Sequence, residues 1–323
     1  MARNVHNSRM RILIAAILLA ASAAHAQPYP SKPVRIIVPF GPGGSGDITA
    51  RTFGHYLERE ARQPVVIDNR PGANGIIGTE AVKTAPPDGH TLLLTTNTTH
   101  AANVSLYKSL SYDPLKDFEN IGLFGTFASV AVVPSESGIR SIAELVAQAK
   151  ANPGKVFYGY YNSASQMSAE LFRLKAGIAL TGVSYKAIGN AVSDLLGRQL
   201  QVLFMEYVSG SSHIEGGKLI ALGVTGPRRH KAWPDVPAIN ELYPGYELSA
   251  YLGLAAPART PPEIVDALHG WLTRSIGDPE VRNRFDALGM ETRVLSRADY
   301  RAFMEQERNR WAEHVRAAGI APQ

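Results

Sequence analysis

The sequence predicts an α/β protein of two lobes joined by two crossings, and three observations carry that expectation. Short β-rich runs alternate with helical runs through most of the chain, a spacing that implies parallel sheets covered by helices on both faces. Two longer β-rich passages, Ile121–Val133 and Tyr246–Ala256, flank the middle third, so the beginning and end of the chain build one lobe and the middle builds the other. Finally, 323 residues at 45% hydrophobic and 19% charged are long for one core and suit two domains of about 100–200 residues each. On this reading residues 27–125 and 249–323 form the first lobe and residues 126–248 the second.

The elements follow in order. Val34–Val38, Val65–Asp68 and Thr91–Thr95 read as strands, with helical segments after Ser45 and around Gly75–Thr84. Ser141-Ile-Ala-Glu144 has the spacing of a capping box and opens a helix carrying Ile142, Leu145, Val146 and Ala149, which Asn152-Pro153-Gly154 ends. A second α/β series has strands at Val156–Tyr160, Gly182–Tyr185, Gln201–Met205 and Leu219–Val224, with helices around Ser165–Lys175 and Gly189–Leu196. The tail returns to helix. Pro261-Pro262 starts one with Ile264, Leu268, Trp271 and Leu272 on a buried face, and Asp278-Pro279 and Ser296-Arg-Ala-Asp299 start two more.

The first residues read as a secretory signal. Arg3, Arg9 and Arg11 precede an apolar run from Ile12 to Ala24, and Ala24-His25-Ala26 supplies the small-residue cleavage site before Gln27. The run is too short and alanine-rich for a confident membrane span, and no later stretch reaches the roughly 18 apolar residues a span needs. Residues 1–26 are therefore expected to be removed and the mature chain to act in the periplasm. Met10 separates Arg9 from Arg11, so a twin-arginine signal is absent and the chain crosses unfolded, without a cofactor loaded beforehand. Loss of the signal lowers the formal net charge from +5 to about +2, too little to argue for nucleic acid. With no cysteine, disulfides, thiol chemistry and cysteine-type zinc sites are excluded.

The densest chemical signal is Val34-Arg-Ile-Ile-Val-Pro-Phe-Gly-Pro-Gly-Gly-Ser-Gly-Asp47, a strand running through a glycine-rich turn into a helix. Gly41, Gly43, Gly44 and Gly46 let the backbone bring N–H groups close to a ligand, and the helix start adds its positive dipole. This is an anion site suited to a small carboxylate. Asp47, in the first helical turn, has two compatible roles: to satisfy backbone N–H groups there, or to accept from a ligand hydroxyl or ammonium. Gly41-Pro-Gly43-Gly-Ser-Gly46 also matches the dinucleotide fingerprint literally, with Asp68 at about the distance of a ribose-binding acid. Pro42 stiffens the turn that would wrap a pyrophosphate, and an exported chain meets little nicotinamide cofactor. The chain has no Gly-x-Ser-x-Gly elbow and no His-Glu-x-x-His. His100 and His213 are expected in loops and Lys186 directly after a strand, where it would meet a carboxylate or solvent.

These residues stand in a longer set of ordered matches. Pro39–Asp47, Ile67-Asp-Asn-Arg-Pro-Gly-Ala-Asn-Gly-Ile-Ile-Gly78, Pro87–Leu93, Leu106–Phe118, Tyr185-Lys186 with Asp194–Gly197, Gly217–Leu219 and Trp233-Pro-Asp-Val-Pro237 together resemble the extracytoplasmic solute receptors of tripartite tricarboxylate transporters, the Bordetella uptake gene (Bug) family. The resemblance covers nearly all of the mature chain. It implies a two-lobe periplasmic binding protein of the type II-like, Venus-flytrap kind. Such a protein closes on one organic acid and presents it to membrane subunits, as a monomer with no catalytic activity and no cofactor. It also implies that two facing loops hold the ligand carboxylate through backbone amides and ordered waters. By motif these are Phe40 to Asp47, including Pro42, Gly43, Gly44 and Ser45, and Tyr160 to Gln166, including Tyr161, Asn162, Ser163 and Ser165. The second loop departs from the family pattern: it is about two residues shorter, has tyrosines in place of small residues, and has Gln166 where histidine is usual. Glu206 stands where many relatives have aspartate and implies an acidic group facing the cleft.

The expected function is capture of a small mono- or dicarboxylate in an interlobe cleft. The alternatives are an exported nucleotide-dependent enzyme built on the glycine loop and a receptor feeding a sensor kinase.

Overall fold

The computed structural model describes residues 29–323, so the expected signal segment at 1–26 lies outside the described residues. Apolar runs without alternation become central strands, because a strand covered on both faces has no solvent side to mark with polar residues. Thus β1 (Val34–Val38) is buried at four of its five positions, and it lies parallel between β2 (Val65–Asn69) and β3 (Thr91–Thr96). Helix α1 (Ser45–Ala61) follows β1 and buries Phe53 and Leu57; the Phe53 ring meets Phe124 edge-on at 5.2 Å. Helix α2 (Ile76–Lys83) connects β2 to β3, and α3 (Asn103–Leu106) follows a π-helical turn at Thr98–Ala102.

The long strand β4 (Phe118–Pro134) belongs to two sheets at once. Its first part, from Phe118 to Ala128, pairs antiparallel with β9 (Ser249–Pro257) and, at Gly125 and Thr126, with β10 (Glu291–Thr292). Its second part pairs antiparallel with β7 (Val202–Glu206) and β8 (Leu219–Val224). Between these come α4 (Ile142–Ala151), β5 (Phe157–Tyr160), α5 (Ser163–Ala176), β6 (Thr181–Ser184), α6 (Ile188–Leu196) and α7 (Tyr207–Glu215), with α8 (Ile239–Leu242) before β9. The path through the sheets is β2-β1-β3-β9-β4-β7-β5-β6. The fold is thus the two-lobe α/β type, and the two long passages foreseen as crossings are paired neighbours, β4 and β9. The expectation of parallel sheets holds for β2-β1-β3 and for β7-β5-β6; the crossing strands run antiparallel and make both sheets mixed.

The chain returns to the first sheet in helices α9 (Pro262–Gly277), α10 (Pro279–Ala287) and α11 (Arg297–Ala317). Asp278 caps α10 through hydrogen bonds to the Glu280 and Val281 amides, and Ser296 caps α11 through the Asp299 amide. The buried face of α9 turns slightly from the expected one, with Val265, Leu268 and Leu272 inside while Ile264 and Trp271 are only half-buried. Leu272 packs over Gly122 of β4, where a Cβ would sit 3.3 Å from its Cδ2. Ser141 accepts from the Glu144 amide at 3.2 Å as the capping spacing predicts, yet Glu144 reaches back to the Arg140 amide rather than to that of Ser141. Among the described residues, no helix is long and apolar enough to cross a membrane.

Candidate functional site

In each α/β unit the strand delivers the chain to one end of its sheet and the helix starts there, so helix N-termini gather at strand C-termini. Here four do so around a cavity of about 70 Å³. Its walls come from Phe40 to Pro42 and Gly44 to Asp47 at α1, from Tyr161, Asn162 and Ala164 at α5, from Lys186 to Ile188 at α6, and from Glu206 before α7. The end of β3 (Thr96, with Asn97 and Thr98), the middle of β4 (Phe127, Ser129) and the start of β9 (Ala250 to Leu252) complete the lining.

The first loop owes its shape to Gly43 and Asp47. Gly43 has φ +85°, a left-handed conformation that an L side chain adopts only with strain. Its N–H donates to Asp47 Oδ2 at 3.0 Å, and Arg51 Nε donates to the same oxygen at 3.1 Å. Burial opposes ionisation of Asp47, but the hydrogen bonds from Arg51, the Gly43 amide and Asn69 prevail and hold its carboxyl below the usual aspartate range. Gly46 lies where a Cβ would sit 2.8 Å from Leu94 Cδ2, so glycine lets α1 start hard against β3. The N-cap of α1 is Gly44, without a side-chain cap. The first intrahelical bond runs from Ile48 N to Gly44 O, which leaves the amides of Ser45, Gly46 and Asp47 without helical acceptors.

The second loop is organised oppositely. Asn162 Oδ1 accepts from the Ser165 amide at 2.9 Å, and Ser165 Oγ accepts from the amides of Asn162 and Tyr161 at 3.2 and 3.1 Å, a reciprocal cap that uses both side chains. Ser163 Oγ accepts from Asn74 Nδ2 at 2.8 Å. Helices α6 and α7 begin after Ala187 and Glu206 without side-chain caps.

Two side chains in the cavity wall are almost wholly buried and have donor atoms with no hydrogen-bond partner among the described residues, Ser45 Oγ and Asn97 Nδ2, whereas the Tyr251 ring packs in the core against Phe303, 5.2 Å between centroids. Each can donate a hydrogen bond, and a buried donor left unmade costs about 1–3 kcal/mol. On the opposite wall the Tyr161 hydroxyl hydrogen-bonds Glu206, and Ser209 Oγ lies 3.5 Å from Glu206 Oε2. Burial pushes the Glu206 carboxyl up, and burial together with the Glu206 charge pushes the Tyr161 hydroxyl well up. Lys186 is exposed at the rim.

Of the residues singled out from sequence, Phe40, Pro42, Gly44, Ser45, Asp47, Tyr161, Asn162, Lys186 and Glu206 come together around this cavity. Gly43, Ser163, Ser165 and Gln166 are not in its lining. The Gly43 amide is taken by Asp47, Ser163 by Asn74, and Ser165 by its own cap. Tyr160 ends β5 beside Tyr158, with ring centroids 6.0 Å apart, and does not line the cavity. His100 is fully buried in the π-helical turn and bonds Thr99 Oγ1, and His213 lies in α7; neither is in a loop or lines the cavity. Asp68 is held by Arg70 at 2.9 Å. Sequence reasoning missed Asn97 and the lining residues of β4 and β9, although two crossings beneath a cleft were a signal that their strands would floor it.

A two-lobed α/β protein with one cavity lined by helix starts and unpartnered donors has the form of a solute-binding receptor. The sequence profile of the tripartite tricarboxylate transporter family receptor matches residues 49–320, and the chain belongs to that family. It is 35% identical over 312 residues to the protein BugT of Bordetella pertussis, covering 95% of each chain. Among solved structures, that of R. palustris Rpa4515 with adipate superposes with a TM-score of 0.88 at 30% identity, covering 91% of this chain and 100% of that one. MatC from Rhodopseudomonas palustris with bound malate gives a TM-score of 0.83 at 28% identity, covering 89% and 100%.

Proposed function

We propose that this protein is a periplasmic solute receptor without catalytic activity, which captures one small mono- or dicarboxylate in the cavity and delivers it to the membrane subunits of a tripartite tricarboxylate-type transporter. It acts as a monomer after loss of residues 1–26, and its lobes, residues 27–125 with 249–323 and residues 126–248, close about β4 and β9. The observation that carries the reading is the set of buried, unpartnered donors at an uncapped helix start: Ser45 Oγ and Asn97 Nδ2 beside the free amides of α1. A carboxylate there satisfies donors that otherwise stay unmade, and the α1 dipole favours its charge. The adipate- and malate-bound relatives support the same ligand class.

Thermal-shift measurement across a panel of organic acids tests it. Binding to the folded state alone adds RT ln(1 + [L]/Kd), about 2.7 kcal/mol at a hundredfold excess over Kd, so at least one acid should raise Tm and NAD should not. A shift with NAD and none with any acid overturns the assignment.

A further inference from the structure

The cavity has an unexpected charge balance for an anion receptor. Its ionisable lining residues are Lys186, Asp47 and Glu206, one base against two acids. Asp47 is neutralised by Arg51, which lies 3.0 Å from Oδ1. Glu206 has no such partner: its contacts are the Tyr161 hydroxyl, Ser209 and Asn162, and the described residues form no ion pair with it. It is also the last residue of β7 and the N-cap of α7, so the strand fixes its backbone at the cavity wall. The uncapped start of α1, with Ser45 and Asn97, suffices for one carboxylate. A second carboxylate on the same ligand would meet the Glu206 wall, where two carboxyl groups in contact can share only one negative charge. A hydroxyl, an amide N–H or an ammonium would instead find a ready acceptor.

We propose that the Glu206–Tyr161 pair makes this cavity selective for small monocarboxylates whose far end donates a hydrogen bond, against dicarboxylates of equal length. The inference rests on the carboxylate-receptor reading above and sets this protein apart from its adipate- and malate-bound relatives. Tyr161 is the positioning residue, holding the Glu206 carboxyl through its hydroxyl, and Glu206 is the group that reads the ligand.

Calorimetric titration of the ligand-free protein at neutral pH decides it. The probes are matched sets: succinate, succinamate, 4-hydroxybutanoate and 4-aminobutanoate, then glutarate with its amide, hydroxyl and amino counterparts. In the wild type the best donor-bearing monoacid of a set should bind at least tenfold more tightly than the diacid. In Glu206→Gln the ratio should fall by tenfold or more, chiefly because the diacid gains. Tyr161→Phe, which keeps the ring, should shift the ratio in the same direction by less. A diacid that binds as tightly as its monoacid counterparts in the wild type, or a ratio unchanged in Glu206→Gln, overturns the inference and leaves the receptor reading standing. If no acid of either set binds the wild type, and a wider thermal-shift panel is also silent, both fall.

Discussion

Asp47 is where stability and binding separate most cleanly. Replacing it with alanine removes the acceptor for the Gly43 amide at 3.0 Å and the partner of Arg51 at 3.1 Å. A hydrogen bond to a charged group contributes about 1.5–3 kcal/mol, a half-exposed ion pair about 0–1, and an acid in the first turn of a helix about 0.3–1. The expected loss is therefore about 2–4 kcal/mol, a fall in Tm of roughly 4–8 °C for a chain of this size. Asp47→Asn keeps a neutral acceptor for Gly43 and should lose about half as much. The dependence on pH has a definite sign. The folded carboxyl titrates below the ordinary value of 3.8, so its contribution is fully present above that value. The stability gap between wild type and Asp47→Asn should stay constant from neutrality to about pH 4 and close on further acidification. Urea denaturation of the ligand-free proteins measures both. An unchanged midpoint in Asp47→Ala, together with lost ligand affinity, refutes the bracing role and shows that Asp47 acts through the ligand.

Two further expectations concern the loops. Gly44 has φ −83° and open space at its Cβ, so Gly44→Ser introduces a good helix cap without strain. Its hydroxyl would occupy amides left for the ligand, so carboxylate affinity should fall at least tenfold by calorimetry with no loss of ligand-free Tm; Gly43→Ala, strained at φ +85°, should instead lower Tm by about 1–2 kcal/mol equivalent. Asn162→Ala removes the acceptor of the Ser165 amide and should cost about 1 kcal/mol in urea denaturation, and an unchanged midpoint would refute the capping role.

How much of this was legible in the sequence depends on the range of the interaction that fixes each feature. Val34–Val38 and Leu219–Val224 are strands at the expected bounds because a short apolar run between turn residues decides itself locally. Helix α7 was not foreseen, since Tyr207–Glu215 buries only Gly210 among its residues and so lacks a periodic apolar face. The site divides in the same way. Phe40 to Asp47 could be read as one continuous motif, whereas Thr96, Phe127 and Tyr251 reach the cavity only through register. Thr96 pairs with Leu252, Thr126 with Tyr251 and Phe127 with Ala250, and no local pattern specifies those alignments. The second loop shows the limit from the other side. Ser165 gives its amide and its hydroxyl to a reciprocal cap with Asn162, and lies outside the cavity lining that Asn162 reaches. The informative residues were the poor caps, Gly44 before α1 and Ala187 before α6, because a helix start that its own chain leaves unsatisfied keeps amides available for a ligand.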